Sequence, residues 1–238
     1  MDKPETDQNT GRPERGSRQP IFNAPAPVLG FAALLLILHG GFGLLDQAGQ
    51  RDLIWQFALI PERLGALLPA LQYPDGLSAA LTFVSHAFLH GDWMHVGFNA
   101  AWIVAMGVPV WRAFGGGWRA ALGFGAVFFG SAIAGGLAFV WFSEPQSWAI
   151  GASGGASGLM AAALAVSVRW PEGPIRNRLR GGLILPDLAF VALNVGVGFI
   201  GVGLLGSAIA WQAHIGGYLA GAVLFPVLCA LLRPRSRA

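Results

Sequence analysis

The 238-residue sequence predicts an all-α membrane protein, one bundle of six transmembrane helices with both termini cytoplasmic. Three observations predict it. The composition is 54% hydrophobic and only 11% charged, against about 25% charged in an ordinary soluble domain. Six apolar runs each approach the ~20 residues needed to cross ~30 Å of hydrocarbon. Lys and Arg are concentrated in alternate loops, as orientation in a membrane requires. A net charge of +3 with pI near 9.7 would point to nucleic acid in a soluble protein. Here the basic residues sit in short loops beside apolar runs, so no nucleic-acid partner is expected and the pattern reads as topology. The single cysteine, Cys229, has no disulfide partner and is expected to be a small core residue.

Residues 1–25 are rich in charged residues, Gln and Pro and hold no apolar core. They are expected to be a disordered cytoplasmic tail. A cleaved signal peptide would carry its apolar stretch nearer the start, so the first run, Pro27–Leu45, is expected to be a retained anchor. A long outer loop follows at about 46–92. Its apolar stretches Leu53–Ile60 and Leu64–Leu71 are expected to lie partly in the interface as amphipathic helices. The other spans are expected at Trp93–Trp111, Ala120–Phe142, Trp148–Val168, Leu183–Leu205 and Ala208–Leu232. Residues 26–233 thus form one six-helix domain, and 234–238 a short basic cytoplasmic tail.

Orientation follows from the basic residues. Lys3, Arg12, Arg15 and Arg18, then Arg112 and Arg119, then Arg169, Arg176, Arg178 and Arg180, then Arg233, Arg235 and Arg237 fall on one side. The other side has only Arg51 and Arg63. The richer side is cytoplasmic by the positive-inside rule. Spans two, four and six then run from outside to inside, so their N-terminal ends share one leaflet. Ser153 falls in the second turn of span four, His214 in the second turn of span six, and His95 and Asn99 in the first two turns of span two. At 1.5 Å per residue all four lie within roughly 10 Å of the outer boundary. Three distant segments therefore bring a serine, two histidines and an asparagine to one depth.

Each residue also has a plainer reading. A membrane serine commonly bonds a carbonyl one turn back or helps helices pack. A histidine inside a span is costlier and is functional by default. His39, in the first span, is expected to be a packed or interfacial residue. The run from His86 to Asn99 holds three histidines, which raises metal binding. A zinc-protease helix would need His-Glu-x-x-His with its glutamate as base, and the only nearby acid is Asp92. No metal and no cofactor is expected.

His90-x4-His95-x3-Asn99, then Gly151-Ala-Ser153-Gly154 followed by Gly158-Leu159-Met160, then Ala-His214-Ile-Gly-Gly217, in that order on spans two, four and six, resemble the rhomboid intramembrane serine proteases. The resemblance runs from about residue 27 to 232. It implies a serine-type endopeptidase of the 3.4.21 class, with Ser153 as nucleophile and His214 as general base. It implies an oxyanion hole from His95, Asn99 and the Ser153 backbone N–H. His90 would support the outer rim, and Gly151, Gly154 and Gly217 are further supporting residues. By their spacing, Gly154 and Gly158 on span four and Gly217 and Gly221 on span six form small-xxx-small faces that let the two helices approach closely. No Asp or Glu is placed to orient His214, so the pair reads as a dyad; Asp187 is expected near the cytoplasmic end of span five.

A second Gly-x-Ser-Gly, Gly155-Ala156-Ser157-Gly158, puts Ser157 one turn or ~5.4 Å deeper on the same face. Ser153 is preferred because it alone sets Gly158-Leu159-Met160 in the family register. Many family members carry Trp-Arg where this chain has Leu81-Thr82, and a glutamate near Trp111-Arg112. Span five, with Gly196, Gly198, Gly201, Gly203 and Gly206, is expected to be loosely packed and to serve as a lateral gate for a substrate helix.

The expected partners are single-pass or multi-pass membrane proteins as substrates, with membrane lipids around the bundle. Short inner loops and six spans point to a bacterial inner membrane. The competing expectation is a catalytically silent rhomboid-like protein that binds membrane clients; a channel or transporter is disfavoured because the polar residues cluster in one leaflet.

Overall fold

The computed structural model of the chain describes residues 24–65, 72–167, 182–205 and 209–232. Most of the N-terminal tail, Arg169, Arg176, Arg178, Arg180, Arg233, Arg235, Arg237 and the end of the Leu64–Leu71 stretch lie outside the described residues.

In chain order the helices are α1 (Ala26–Gly43), α2 (Gln47–Phe57), α3 (Pro61–Gly65), α4 (Gly76–Ser85) with a 3-10 turn at His86–Phe88, α5 (Trp93–Ala113), α6 (Gly117–Phe142), α7 (Ser153–Ser167), α8 (Ile184–Leu205) and α9 (Trp211–Leu232). Among the described residues the only β pairing is an isolated bridge, Leu59 with Ala149. Helices α1, α5, α6 and α9 are long and apolar enough to cross a membrane; α7 has 15 residues and α8 has 22. Large apolar side chains such as Ile37, Leu137, Leu219 and Val227 are exposed on the outside of the bundle. Lipid is the solvent such a surface calls for, since an apolar surface this extensive is unusual on a soluble monomer.

Local sequence sets the helix starts. Asp46, Asp75 and Asp92 cap α2, α4 and α5, their carboxylates accepting from the N–H of Gly49, Ser78 and His95 at 2.8, 2.7 and 2.8 Å. Each cap satisfies a donor that the helix itself cannot. The Asp75 carboxyl is held below its ordinary pKa by those bonds from Ser78. Gly115, Gly116 and Gly117 turn the chain from α5 into α6 with φ of 82°, 80° and 63°, a left-handed path that side chains disfavour.

Two starts that set the position of the candidate site differ from expectation. Helix α7, in the run expected as span four, begins at Ser153 rather than Trp148, because Ala149 is drawn into the bridge with Leu59 and Gly151 has φ 118°, outside the helical region. Helix α9, in the run expected as span six, begins at Trp211 rather than Ala208. Ser153 is thus the first residue of its helix, and His214 lies in the first turn of its own, each closer to the helix N-terminus than the sequence places it.

Helix α7 occupies the centre, packed by α5, α6 and α9, while α1 lies on α5 and α8 rests chiefly on α9. Its sequence, SGGASGLMAAALAVS, explains the position. Small residues let backbones approach, and without a hydrophobic drive in lipid that contact is what holds helices together. A methyl group at Gly217 would overlap the carbonyl oxygen of Gly154, and one at Gly221 that of Gly158. Towards α6, a methyl at Gly135 would overlap the carbonyl oxygen of Ala213, and one at Gly158 the hydroxyl of Ser131. Most of these obstacles are backbone, which cannot rotate away.

Gly217→Ala should therefore lower stability by about 1–3 kcal/mol, read as a drop in thermal midpoint in detergent. Gly30→Ala, where a methyl meets nothing within 4 Å, should leave the midpoint unchanged or raised. Equal midpoints for the two variants would contradict the close approach of α7 and α9.

Candidate active site

The N-terminal ends of α5, α7 and α9 converge. Ser153, opening α7, has its Oγ 2.7 Å from Nε2 of His214 in the first turn of α9. These residues are 61 positions apart in the chain, and the glycine contacts between the two helices bring them together. Ser157 does something else: its Oγ donates to the Ser153 carbonyl at 2.8 Å, the one-turn-back bond common for serine in membrane helices. Of the two serines, Ser153 is the one in hydrogen-bond reach of His214.

The segment before Ser153 is gripped from the outer loop. Leu59 and Ala149 exchange two backbone bonds of 3.1 and 2.9 Å, the Gly151 N–H donates to the His86 carbonyl at 2.8 Å, and the Ala152 N–H donates to His90 Nε2 at 3.3 Å. His86 is itself held by Nδ1 against the Thr82 carbonyl at 2.7 Å. Burial, with His95 and His39 nearby, pushes the His90 pKa down to about 3. The neutral ring keeps a lone pair on Nε2 for the Ala152 N–H. His90 thus acts on the chain entering α7. Thr82 is buried and its hydroxyl donates to the Ala79 carbonyl at 2.6 Å.

His95 and Asn99 face Gly151. A Cβ built on Gly151 would lie 2.6 Å from His95 Nε2 and 3.7 Å from Asn99 Nδ2, so the missing side chain leaves the space into which both groups point. The Gly91 N–H approaches His95 Nδ1 at 3.5 Å. This assigns the ring hydrogen to Nε2, the nitrogen facing the gap. Asn99 Nδ2 donates one hydrogen to the His95 carbonyl at 3.1 Å and has a second to offer. The first N–H groups of α7 have no intrahelical acceptor, and three helix N-termini meeting here favour negative charge. The site is built to receive an anion.

His39 packs edge-on against the Trp93 ring at 4.8 Å and lies 6.5 Å from His90, a packed residue as expected. Gly154 and Gly217 form the close contact described above.

The sequence reading missed Asn194, on α8. Its Oδ1 is 2.7 Å from His214 Nδ1, the nitrogen turned away from Ser153. A polar amide within an apolar span is itself a signal, but it has no spacing relation to the other motifs. Asp187 lies in the first turn of α8, about two turns before Asn194, and accepts from the hydroxyl of Tyr218, four residues beyond His214 on α9, so it does not orient His214.

A family model of the Rhomboid domain matches residues 78–231, well over half of the chain. No curated protein matches it. The matched region contains α5 to α9 and every residue of the converging site, and the chain is a multi-pass membrane protein that belongs to the rhomboid family.

Proposed function

We propose that the protein is an intramembrane serine endopeptidase that cleaves transmembrane segments of membrane proteins. The observation that carries this reading is the 2.7 Å contact between Ser153 Oγ and His214 Nε2. Ser153 Oγ attacks the scissile carbonyl while His214 Nε2 takes its proton. The tetrahedral oxyanion accepts from His95 Nε2, Asn99 Nδ2 and the Ser153 N–H. As the intermediate collapses, His214 returns the proton to the leaving amine. A water then repeats the sequence on the acyl-enzyme, with His214 as base and Ser153 as leaving group. No cofactor enters any step.

Cleavage of a model transmembrane substrate by purified protein in detergent tests this. Ser153→Ala and His214→Ala should each abolish cleavage, whereas Ser157→Ala should retain it. Asn99→Ala should lower kcat about 100-fold, the cost of one oxyanion donor. A fluorophosphonate, which labels activated serines, should modify Ser153 in the wild type. Cleavage that survives Ser153→Ala would overturn the assignment.

The same reading takes α7 and α8 as spans four and five of six, with both termini in the cytoplasm of a bacterial cell, in its inner membrane. It is supported by the alternation of basic residues. A cysteine added to the N-terminal tail and one added at the C terminus should both resist an impermeant thiol reagent in intact cells. Labelling of either from outside would reverse or break the topology.

Helix α8 is the side on which a substrate helix is admitted, supported by its resting chiefly on α9. A crosslink between α8 and α5 should stop cleavage of a transmembrane substrate while fluorophosphonate labelling of Ser153 continues. Unimpaired cleavage in the crosslinked protein would rule out this route.

A further inference from the structure

The hydrogen bonds around His214 extend past Ser153 and His214 to a third helix, and their direction can be worked out from the end. The Phe190 carbonyl on α8 can only accept. Asn194 Nδ2 lies 2.9 Å from it, so the amide nitrogen must point there, and the amide oxygen must point to His214 Nδ1, 2.7 Å away. An amide oxygen also only accepts. His214 Nδ1 therefore carries the hydrogen. A neutral imidazole has one such hydrogen, so Nε2 presents its lone pair, and it does so to Ser153 Oγ at 2.7 Å. The order Phe190 carbonyl, Asn194, His214, Ser153 thus leaves the serine hydroxyl as donor and the histidine as acceptor, the arrangement a general base requires.

Asn194 reaches His214 because α8 is seated there by its neighbours on the same face. Positions 187, 190 and 194 follow helical spacing. Asp187 accepts from the Tyr218 hydroxyl, and the Phe190 ring stacks on the Tyr218 ring with centroids 4.1 Å apart and planes 15° apart. His214 and Tyr218 are likewise one turn apart on α9. The amide is also fixed by its own helix through Phe190.

We propose that Asn194 is a positioning residue of this site, acting through His214 by holding its ring orientation and its Nδ1–H tautomer, so that the working set is Ser153, His214 and Asn194 rather than a dyad. The proposal rests on the reading of Ser153 and His214 as the reacting pair. After proton transfer both ring nitrogens carry hydrogen, and the Asn194 oxygen still accepts from Nδ1, now in a charge-assisted bond. Asn194 touches neither the substrate nor the transferred proton.

Two measurements test it together. In the first, kcat and KM for a transmembrane substrate are compared among wild type, Asn194→Leu and Asn194→Asp. Leucine, similar in size and without an acceptor, should lower kcat about 100-fold with KM changed by less than about twofold, since the amide acts on the catalytic ring rather than on substrate binding. Aspartate, which retains an acceptor oxygen at that position but is costly to ionise in an apolar span, should recover part of the loss.

In the second, ¹⁵N NMR of histidine-labelled protein, with the His214 signals assigned by their disappearance in His214→Ala, should show hydrogen on Nδ1 in the wild type. In Asn194→Leu that preference should be lost. Wild-type kcat in Asn194→Leu, or a wild-type His214 carrying hydrogen on Nε2 instead, would overturn the proposal. The tautomer readout in the wild type needs neither activity nor a folded variant. Failure of the protease reading, seen as cleavage surviving Ser153→Ala, is thereby distinguished from failure of the role given to Asn194.

Discussion

The close approach of α7 and α9 is the constraint on which the rest of the molecule depends. A hydrogen bond of 2.7 Å between short side chains on two helices requires backbones nearer than ordinary side chains allow. Gly217 against the Gly154 carbonyl and Gly221 against the Gly158 carbonyl provide that distance over two successive turns. The requirement spreads to α6, where Gly135 meets the Ala213 carbonyl and Ser131 faces Gly158. A helix contacted this tightly from several sides can have almost no side chains of its own. The Gly/Ala/Ser composition of α7 follows from its place at the centre, and so does the exposure of the larger apolar residues on the peripheral helices.

Such packing fixes α7 laterally but does not fix where it begins. That is the work of the outer loop, whose bridge at Leu59 and acceptors at His86 and His90 hold residues 149, 151 and 152 out of the helix, ahead of its start. Irregular backbone beside a bilayer is tolerated only where its polar groups find partners, and here each N–H at those three positions has one. The outer loop has its own anchor. Arg63 is enclosed between the Trp55 and Tyr73 rings at 4.1 and 3.9 Å and donates to the Trp55 and Gln72 carbonyls. The Tyr73 hydroxyl in turn bonds the Ala58 carbonyl at 2.7 Å, one residue from the bridge. A residue that counts in sequence as one of the few outer positive charges thus also has a structural task that hydropathy does not reveal.

How much of this was legible in the sequence depends on the range of the interaction. The apolar runs that became α1, α5 and α6 were readable because span length is a local property, and the common depth of His95, Asn99, Ser153 and His214 followed from counting residues along those runs. The start of α7 was not readable, because the bridge that excludes Trp148–Ala152 from the helix pairs residues ninety positions apart. The choice between Ser153 and Ser157 rested in sequence on register with a family pattern, whereas in three dimensions Ser157 is already occupied by the Ser153 carbonyl. Asp187 was readable as a residue near the start of its helix, but its partner, the Tyr218 hydroxyl on α9, was not, since that contact is between helices. Asn194 left no trace at all in spacing, since its partner His214 is on another helix and its amide partner Phe190 contributes only a backbone atom.

Why an amide stands behind His214 rather than a carboxylate follows from the surroundings. An ionised side chain in an apolar span carries a desolvation cost of several kcal/mol that a partner repays only with excellent geometry. In the proposed reaction His214 is neutral before proton transfer and offers no charge to pair with. A carboxylate there would be stabilised only in the brief state when the imidazolium exists. An amide oxygen avoids that cost in the resting state and still accepts from Nδ1 after the proton arrives. It gives less electrostatic support to the imidazolium than a full charge would, so more of the stabilisation has to fall on the oxyanion side. His95, Asn99 and the N-termini of three helices are gathered on that side, and their dipoles act where water is scarce and their effect is largest. The neutral partner on α8 and the crowded donors on α5 and α7 are two parts of one electrostatic solution.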